Sequence, residues 1–260
     1  MNSSKPLALV TGASSGIGLN YARKLLEQGY DLIAVGRRKE RLNSLVADFP
    51  ERRVRVVVAD LSTTDGIQVL SEICREEPIT LLVNNAGVSH YMGFTNLPAE
   101  KARELLYVKV IAPTLLSHAA LPGMIDRNQG SIINVAGMLA FGAAAPLANA
   151  AGRATYVATL SHLVSLTLAL SEEFHNAGIN FQVLCPGIVA TEFHERQGMD
   201  LSAFPRMTAE DVVTASLNAL KLKEIICAPG IEDASLLNAA LLANLTAFNG
   251  QSSRLASRYK

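Results

Sequence analysis

The first regular stretch of the chain reads Leu7-Ala8-Leu9-Val10-Thr11-Gly12-Ala13-Ser14-Ser15-Gly16-Ile17-Gly18, and every later segment is read outward from it. Leu7 to Thr11 is β-prone and apolar and predicts a strand. A helix is predicted from about Gly16 to Gln28. Between them, glycines let the backbone turn tightly and come close to a pyrophosphate, and the helix N-terminus presents free N–H groups at a positive dipole end. The spacing is Gly-x-x-x-Gly-x-Gly rather than Gly-x-Gly-x-x-Gly, and no Gly-Lys-Ser/Thr closes it as in a P-loop. A purely structural turn would use the same glycines, so the strand–turn–helix context carries the argument for a dinucleotide site. Its candidate contacts are Gly12, Ser14, Ser15, Gly16, Ile17 and Gly18.

The alternation continues along the chain. Strands are predicted at Asp31–Val35, Val54–Ala59, Ile79–Val83, Ser131–Val135, Ile179–Cys185 and Glu224–Cys227, with helices at Glu40–Asp48, Thr155–His175 and Ala209–Leu220. Ser62 is a candidate cap for the helix after the third strand. Several strands are apolar on both faces, as in a sheet covered on both sides. Repeated strand–helix–strand units imply right-handed crossovers and a parallel sheet. The expected fold is therefore α/β: a Rossmann-type, doubly wound parallel sheet of about seven strands, with helices on both faces in a three-layer sandwich. One domain is expected over residues 1–260. Ala140 to Gly152 reads as a small-residue loop. Ser235 to Phe248 carries apolar residues at helical spacing and is expected to pack against the domain.

Composition narrows the function classes. The 260 residues carry 23 Lys and Arg against 23 Asp and Glu, a net charge of zero that argues against nucleic-acid binding. Aromatic residues make up 5% and Trp is absent, so stacking platforms for single strands are not expected. Apolar residues reach 49%, a core-forming composition. Cys74, Cys185 and Cys227 are odd in number and widely spaced, which suits buried reduced thiols rather than a disulfide framework or metal site. Met1 to Lys5 lacks the pattern of a signal peptide, and no uncharged apolar run reaches the roughly 18 residues of a membrane span. A cytoplasmic protein without membrane contact is the expectation.

Past the second strand the chain reads Val35-Gly36-Arg37-Arg38. An acidic residue there would bind the ribose hydroxyl of NAD, whereas arginine accommodates the 2′-phosphate of NADP. Two guanidiniums and no acid favour NADP(H), because arginine pairs with phosphate in a bidentate geometry. A solvated basic turn is the alternative.

With Asp60-Leu61, Asn84-Asn85-Ala86-Gly87, and Pro186-Gly187 followed by Val189 and Thr191, the chain resembles the short-chain dehydrogenase/reductase family over nearly all its length. The resemblance implies that Asp60 and Leu61 border the adenine, that Asn85, Ala86 and Gly87 support sheet and cofactor, and that Pro186, Gly187, Val189 and Thr191 cradle the nicotinamide. It also implies that Thr191 to Pro205 forms a substrate lid, and that His90, Tyr91 and Met92 lie at the cleft.

The family's catalytic pattern is a Tyr-x-x-x-Lys pair, a serine after the fifth strand and an asparagine on the preceding long helix. The lysine lowers the tyrosine pKa and binds the nicotinamide ribose, while the serine orients the substrate oxygen. Here Tyr156 is kept, but Leu160 stands at the lysine position, Gly137 at the serine position and Lys109 at the asparagine position. Without the lysine, Tyr156 is expected to remain a neutral phenol, able to donate a proton but a poor base. Lys109 is either a relocated catalytic cation or, as is commoner for lysine, a surface or interface residue. The expectation is an NADP(H)-dependent oxidoreductase, reducing a carbonyl, enone or imine of a small molecule in a remodelled site. The alternatives are a catalytically impaired NADP(H)-binding protein and a non-redox lyase or isomerase. The resemblance further implies a homodimer or homotetramer built through the long helices bearing Lys109 and Tyr156.

Overall fold

The alternating apolar segments assemble into a seven-stranded sheet, parallel throughout. A computed structural model describes residues 5–145 and 152–260. Its strands are β1 (Leu7–Thr11), β2 (Asp31–Gly36), β3 (Val54–Val58), β4 (Ile79–Asn84), β5 (Gly130–Val135), β6 (Ile179–Leu184) and β9 (Ile226–Cys227). In the sheet they lie in the order β3-β2-β1-β4-β5-β6-β9. The order reverses between β1 and β4, and such a switch point opens a crevice at the carboxyl ends of the strands.

The strand pleat sends alternate side chains to opposite layers, which explains two-sided burial. Ala8 and Val10 of β1 join α1 (Gly16–Glu27) and α8 (Ala209–Lys221), with Tyr21, Leu25, Leu26, Val213 and Leu217 filling that layer. Leu9 faces the opposite layer with Ile33, Leu82 and Ile132, covered by Ile67 and Leu70 of α3 (Thr64–Glu76) and by Leu116 and Met124 of α5 (Ala112–Asp126). A third cluster joins Leu105 of α4 (Ala99–Leu106) to Leu160, Leu163 and Val164 of α6 (Ala154–Glu173). Ala99–Asp126 and Ala154–Glu173 are long and apolar enough to cross a membrane by composition. Leu116 and Met124 of the first and Leu160, Leu163 and Val164 of the second pack into these layers, whereas Leu106, Ile111 and Leu115 are exposed.

Three local features differ from the sequence reading. The cap of α3 is Thr63, whose hydroxyl accepts from the Gly66 N–H at 3.1 Å, while the Ser62 hydroxyl donates to Asp60 Oδ1 at 2.8 Å. Between α4 and α5 the helix widens into one π turn, Tyr107–Ile111, with Lys109 at its centre. A small parallel ladder pairs β7 (Val189–Ala190) with β8 (Met207–Thr208), and α7 (Glu192–Glu195) lies between them in sequence.

The chain divides into two compact units, Met1–Pro229 and Gly230–Lys260. The second contains α9 (Ser235–Asn249), the helix its apolar spacing predicts, with Leu236, Leu242, Leu245 and Phe248 exposed. α2 (Lys39–Asp48) follows β2 in the first unit. The loop expected from Ala140 to Gly152 lies partly outside the described residues.

Candidate active site

The strand ends open into a cleft of about 1210 Å³. Of the residues singled out from sequence, the cleft gathers Gly12, Ser14, Ser15, Gly16, Ile17, Arg37, Arg38, Asp60, Leu61, Asn85, Ala86, Gly87, Lys109, Gly137, Tyr156, Leu160, Pro186, Gly187, Val189 and Thr191. Gly18 is not on its wall. A Cβ there would lie 2.3 Å from the Gly12 carbonyl oxygen and 2.4 Å from Asn85 Nδ2, so this glycine permits close packing behind the turn.

The turn itself is pinned from β4. Gly12 and Gly16 adopt φ of +69° and +54°, the left-handed region that suits glycine. The Asn85 side chain donates to the Thr11 carbonyl at 2.8 Å, and the backbone N–H groups of Asn85 and Ala86 donate to the Thr11 hydroxyl at 2.9 and 3.0 Å. Asn84 donates to Asn134 Oδ1 at 2.9 Å and Ser117 Oγ at 3.1 Å, joining β4 to β5 and α5. The Asn-Asn-Ala-Gly segment thus fastens the switch point across three strands.

At one end of the cleft, Arg38 donates to the hydroxyl of Ser14 at 2.9 Å and of Ser15 at 2.7 Å. It also pairs with Glu192 of α7 at 2.9 Å, a contact the sequence did not announce because 154 positions separate the two. Arg37 turns toward Asp60, 3.8 Å away. Partial burial opposes ionisation of Asp60, but hydrogen bonds from Ser62 and the Arg37 guanidinium hold its carboxyl below its ordinary value.

At the other end, Tyr156 is 6% exposed and packs edge-on against Tyr91, with ring centroids 5.5 Å apart. Phe193 lies 6.4 Å from the Tyr156 ring, and His194 stacks on Tyr91 at 6.1 Å. Burial, reinforced by the Tyr91 phenol, pushes the Tyr156 pKa well above its ordinary value. Leu160 is buried beside Gly137, whose added Cβ would meet Leu160 Cδ1 at 3.5 Å and the Pro186 carbonyl oxygen at 3.6 Å.

Lys109 is buried, 4% exposed, in place of the surface position common for lysine. Its Nζ donates to the Val135 carbonyl at 2.9 Å. Burial pushes its pKa down to about 8, with Cys185 acting weakly in the other direction. Among the described residues no cation contributes to the Tyr156 shift, which comes from burial and Tyr91. Lys109 thus lines the same cleft as the phenol, with its Nζ committed to the Val135 carbonyl.

The profile of the short chain dehydrogenase family matches residues 6–201, and the chain belongs to that family. Its relatives include the inactive hydroxysteroid dehydrogenase-like protein 1 of Pongo abelii, 32% identical over 190 residues. That match covers 71% of this chain and 56% of the relative, so the chain spans little more than half the length of that protein. Among solved structures, a short-chain dehydrogenase from Sphingobium yanoikuyae in complex with NADPH superposes with a TM-score of 0.92 at 29% identity, covering 98% of this chain and 100% of the other. The bulky-bulky ketone specific alcohol dehydrogenase from Comamonas testosteroni superposes at 0.88 and 27% identity, covering 98% of each chain.

Proposed function

We propose that the chain is an NADP(H)-dependent oxidoreductase that reduces a carbonyl, enone or imine of a small apolar molecule. The observation that carries this reading is one cleft with Arg38 on the two turn serines at one end and the Tyr156 phenol at the other. The glycine turn leaves room where a Cβ would collide, and the cleft volume admits a dinucleotide together with a substrate. Gly12 to Ile17 would hold the pyrophosphate, Arg38 and Ser14 the 2′-phosphate, and Gly87, Pro186, Gly187, Val189 and Thr191 the nicotinamide half. Bound there, the nicotinamide supplies a hydride.

Tyr156 then acts as a hydrogen-bond donor and acid toward the substrate oxygen or nitrogen. With its pKa raised, the phenol keeps its proton at neutral pH, which suits reduction and impairs alcohol oxidation. Met138, Leu139, Phe193, Met199, Leu201 and Phe204 give the substrate end an apolar lining, and Tyr91 excludes water from the phenol. Since a neutral phenol without a cationic neighbour is a weak catalyst, the second reading is an NADP(H)-binding protein that has lost turnover. The similarity to a relative whose name carries "inactive" favours keeping it.

The experiment is a fluorescence titration with NADPH and NADH, followed by cofactor oxidation with a panel of bulky ketones, enones and imines. NADPH binding with turnover of at least one apolar substrate is expected. Binding without turnover selects the second reading, and no affinity for either nucleotide overturns both. We also propose a homodimer or homotetramer through the outer face of the α4–α5 helix, where Leu106, Ile111 and Leu115 are exposed. Sedimentation showing a monomer at micromolar concentration would contradict it.

A further inference from the structure

Glu192 is the first residue of α7, directly after Thr191, and its carboxylate is held by three guanidiniums. Arg38 reaches it at 2.9 Å, Arg41 at 3.0 Å and Arg196 at 2.8 Å. Burial alone would raise its pKa, yet hydrogen bonds from Ser15, Arg41 and Arg38 hold it below the ordinary carboxylate value, so it is an anion at neutral pH. Arg38 meanwhile donates to Ser14 and Ser15. A carboxylate and a phosphate take the same donors from a guanidinium fork. An arginine just past the second strand, beside the glycine turn, is where the 2′-phosphate of NADP is recognised in this class of fold.

We infer that Glu192 occupies the 2′-phosphate seat as an internal anion, so that NADP(H) must displace it whereas NAD(H) need not, which makes Glu192 a cofactor-selecting residue. The inference rests on the NADP(H) reading above. Three positive charges around one carboxylate leave a surplus that a phosphate dianion can use better than Glu192 can. The pairing is also only partly screened from water, with Arg38 and Glu192 side chains 27% and 28% exposed, so it is weak enough to exchange. Displacement has a consequence at the far end of the cleft. Phe193 and His194 follow Glu192 directly on α7 and pack against Tyr156 and Tyr91. The Thr191 methyl group lies 3.2 Å from where a Cβ on Gly16 would sit, so the same short segment also rests on the glycine turn. Releasing Glu192 thus frees the residues that cover the phenol.

The test is calorimetric titration of wild type and Glu192→Gln, at low salt, with NADPH, NADH, adenosine 2′,5′-bisphosphate and adenosine 5′-monophosphate. Glutamine keeps the size and removes the charge. The variant should bind NADPH and the bisphosphate about fivefold more tightly than wild type, which is what one partly exposed ion pair is worth, with NADH and the monophosphate unchanged. In wild type, amide hydrogen exchange across residues 191–205 should rise with the bisphosphate and not with the monophosphate. Equal changes for both nucleotide classes, weaker NADPH binding in the variant, or unaltered exchange each overturn the inference. A wild type that binds neither cofactor instead overturns the proposed function itself, and this inference with it.

Discussion

Replacing Lys109 with methionine isolates the energetic cost of the buried ammonium. The side chain is 4% exposed, its Nζ has the Val135 carbonyl as partner, and burial brings its pKa from 10.5 to about 8. At about 1.4 kcal/mol per tenfold change in proton affinity, that gap corresponds to about 3 kcal/mol. Below pH 8 both folded and unfolded chains hold the proton, and the burial cost is present in full. Between pH 8 and 10.5 the folded chain releases the proton while the unfolded chain keeps it, so stability rises with pH across that window. The buried thiols and phenols act in the opposite sense. Cys74, Cys185 and Cys227 are each pushed up to about 12, so the unfolded chain ionises first and stability falls as pH rises. The pH dependence of wild type alone mixes both contributions, but the difference between wild type and Lys109→Met cancels most of the second. Methionine removes the charge and leaves the Val135 carbonyl without its donor, a loss of about 1–3 kcal/mol. The variant should therefore match or exceed wild-type stability at pH 7 by up to about 2 kcal/mol. Its advantage should shrink by about 3 kcal/mol toward pH 10.5, leaving wild type the more stable. Urea unfolding followed by circular dichroism at pH 7, 8, 9 and 10 measures this. Stability curves that stay parallel over that range would refute a buried, proton-linked Lys109.

Tyr156→Phe should lower turnover by about 100-fold or more while NADPH affinity stays within twofold, because the phenol acts on substrate; equal turnover in the two proteins would remove Tyr156 from the chemistry. The raised phenol pKa predicts that wild-type ketone reduction loses nothing to Tyr156 ionisation between pH 6 and 9, checked by a kcat profile. Gly18→Ala forces a Cβ to within 2.3 Å of the Gly12 carbonyl oxygen, so NADPH affinity should fall at least tenfold with about 1–3 kcal/mol of stability, read by titration and melting. Gly137→Ser meets only ordinary contacts at 3.5 and 3.6 Å and should fold normally; combined with Leu160→Lys it should raise ketone reduction at least tenfold. No gain from that pair would mean that the pocket has diverged beyond the two positions.

What could be read in advance followed from short-range pattern. The strand–turn–helix at residues 7–18 carries its own geometry, because only glycine sits easily at the φ of Gly12 and Gly16. The two-period burial of Ala8, Leu9 and Val10 then implies covered faces. Ser62 and Thr63 are both competent caps; α3 begins at Thr64, so Thr63 is the residue in the capping position, its hydroxyl donating to the Asp60 carbonyl while it accepts from the Gly66 N–H. Lys109 carried a usable signal. It lies four residues after Leu105 and three before Ala112, both fully buried, so helical periodicity places it inward, and the π turn keeps it there. The pairing of Arg38 with Glu192 and the seating of Tyr91 on Tyr156 had no such signal, since each joins segments far apart in sequence. These long-range contacts bear on different questions from the glycine turn. The turn defines a nucleotide site shared by many proteins of this architecture. The acid beside Arg38 and the uncharged surroundings of Tyr156 bear on which nucleotide enters and how far the phenol can drive chemistry. Leu160, Gly137 and Lys109 stood out in the sequence because they break a spaced pattern, whereas an acid with no fixed spacing from its arginine leaves no motif, so that part of what individualises this chain is brought together only by folding.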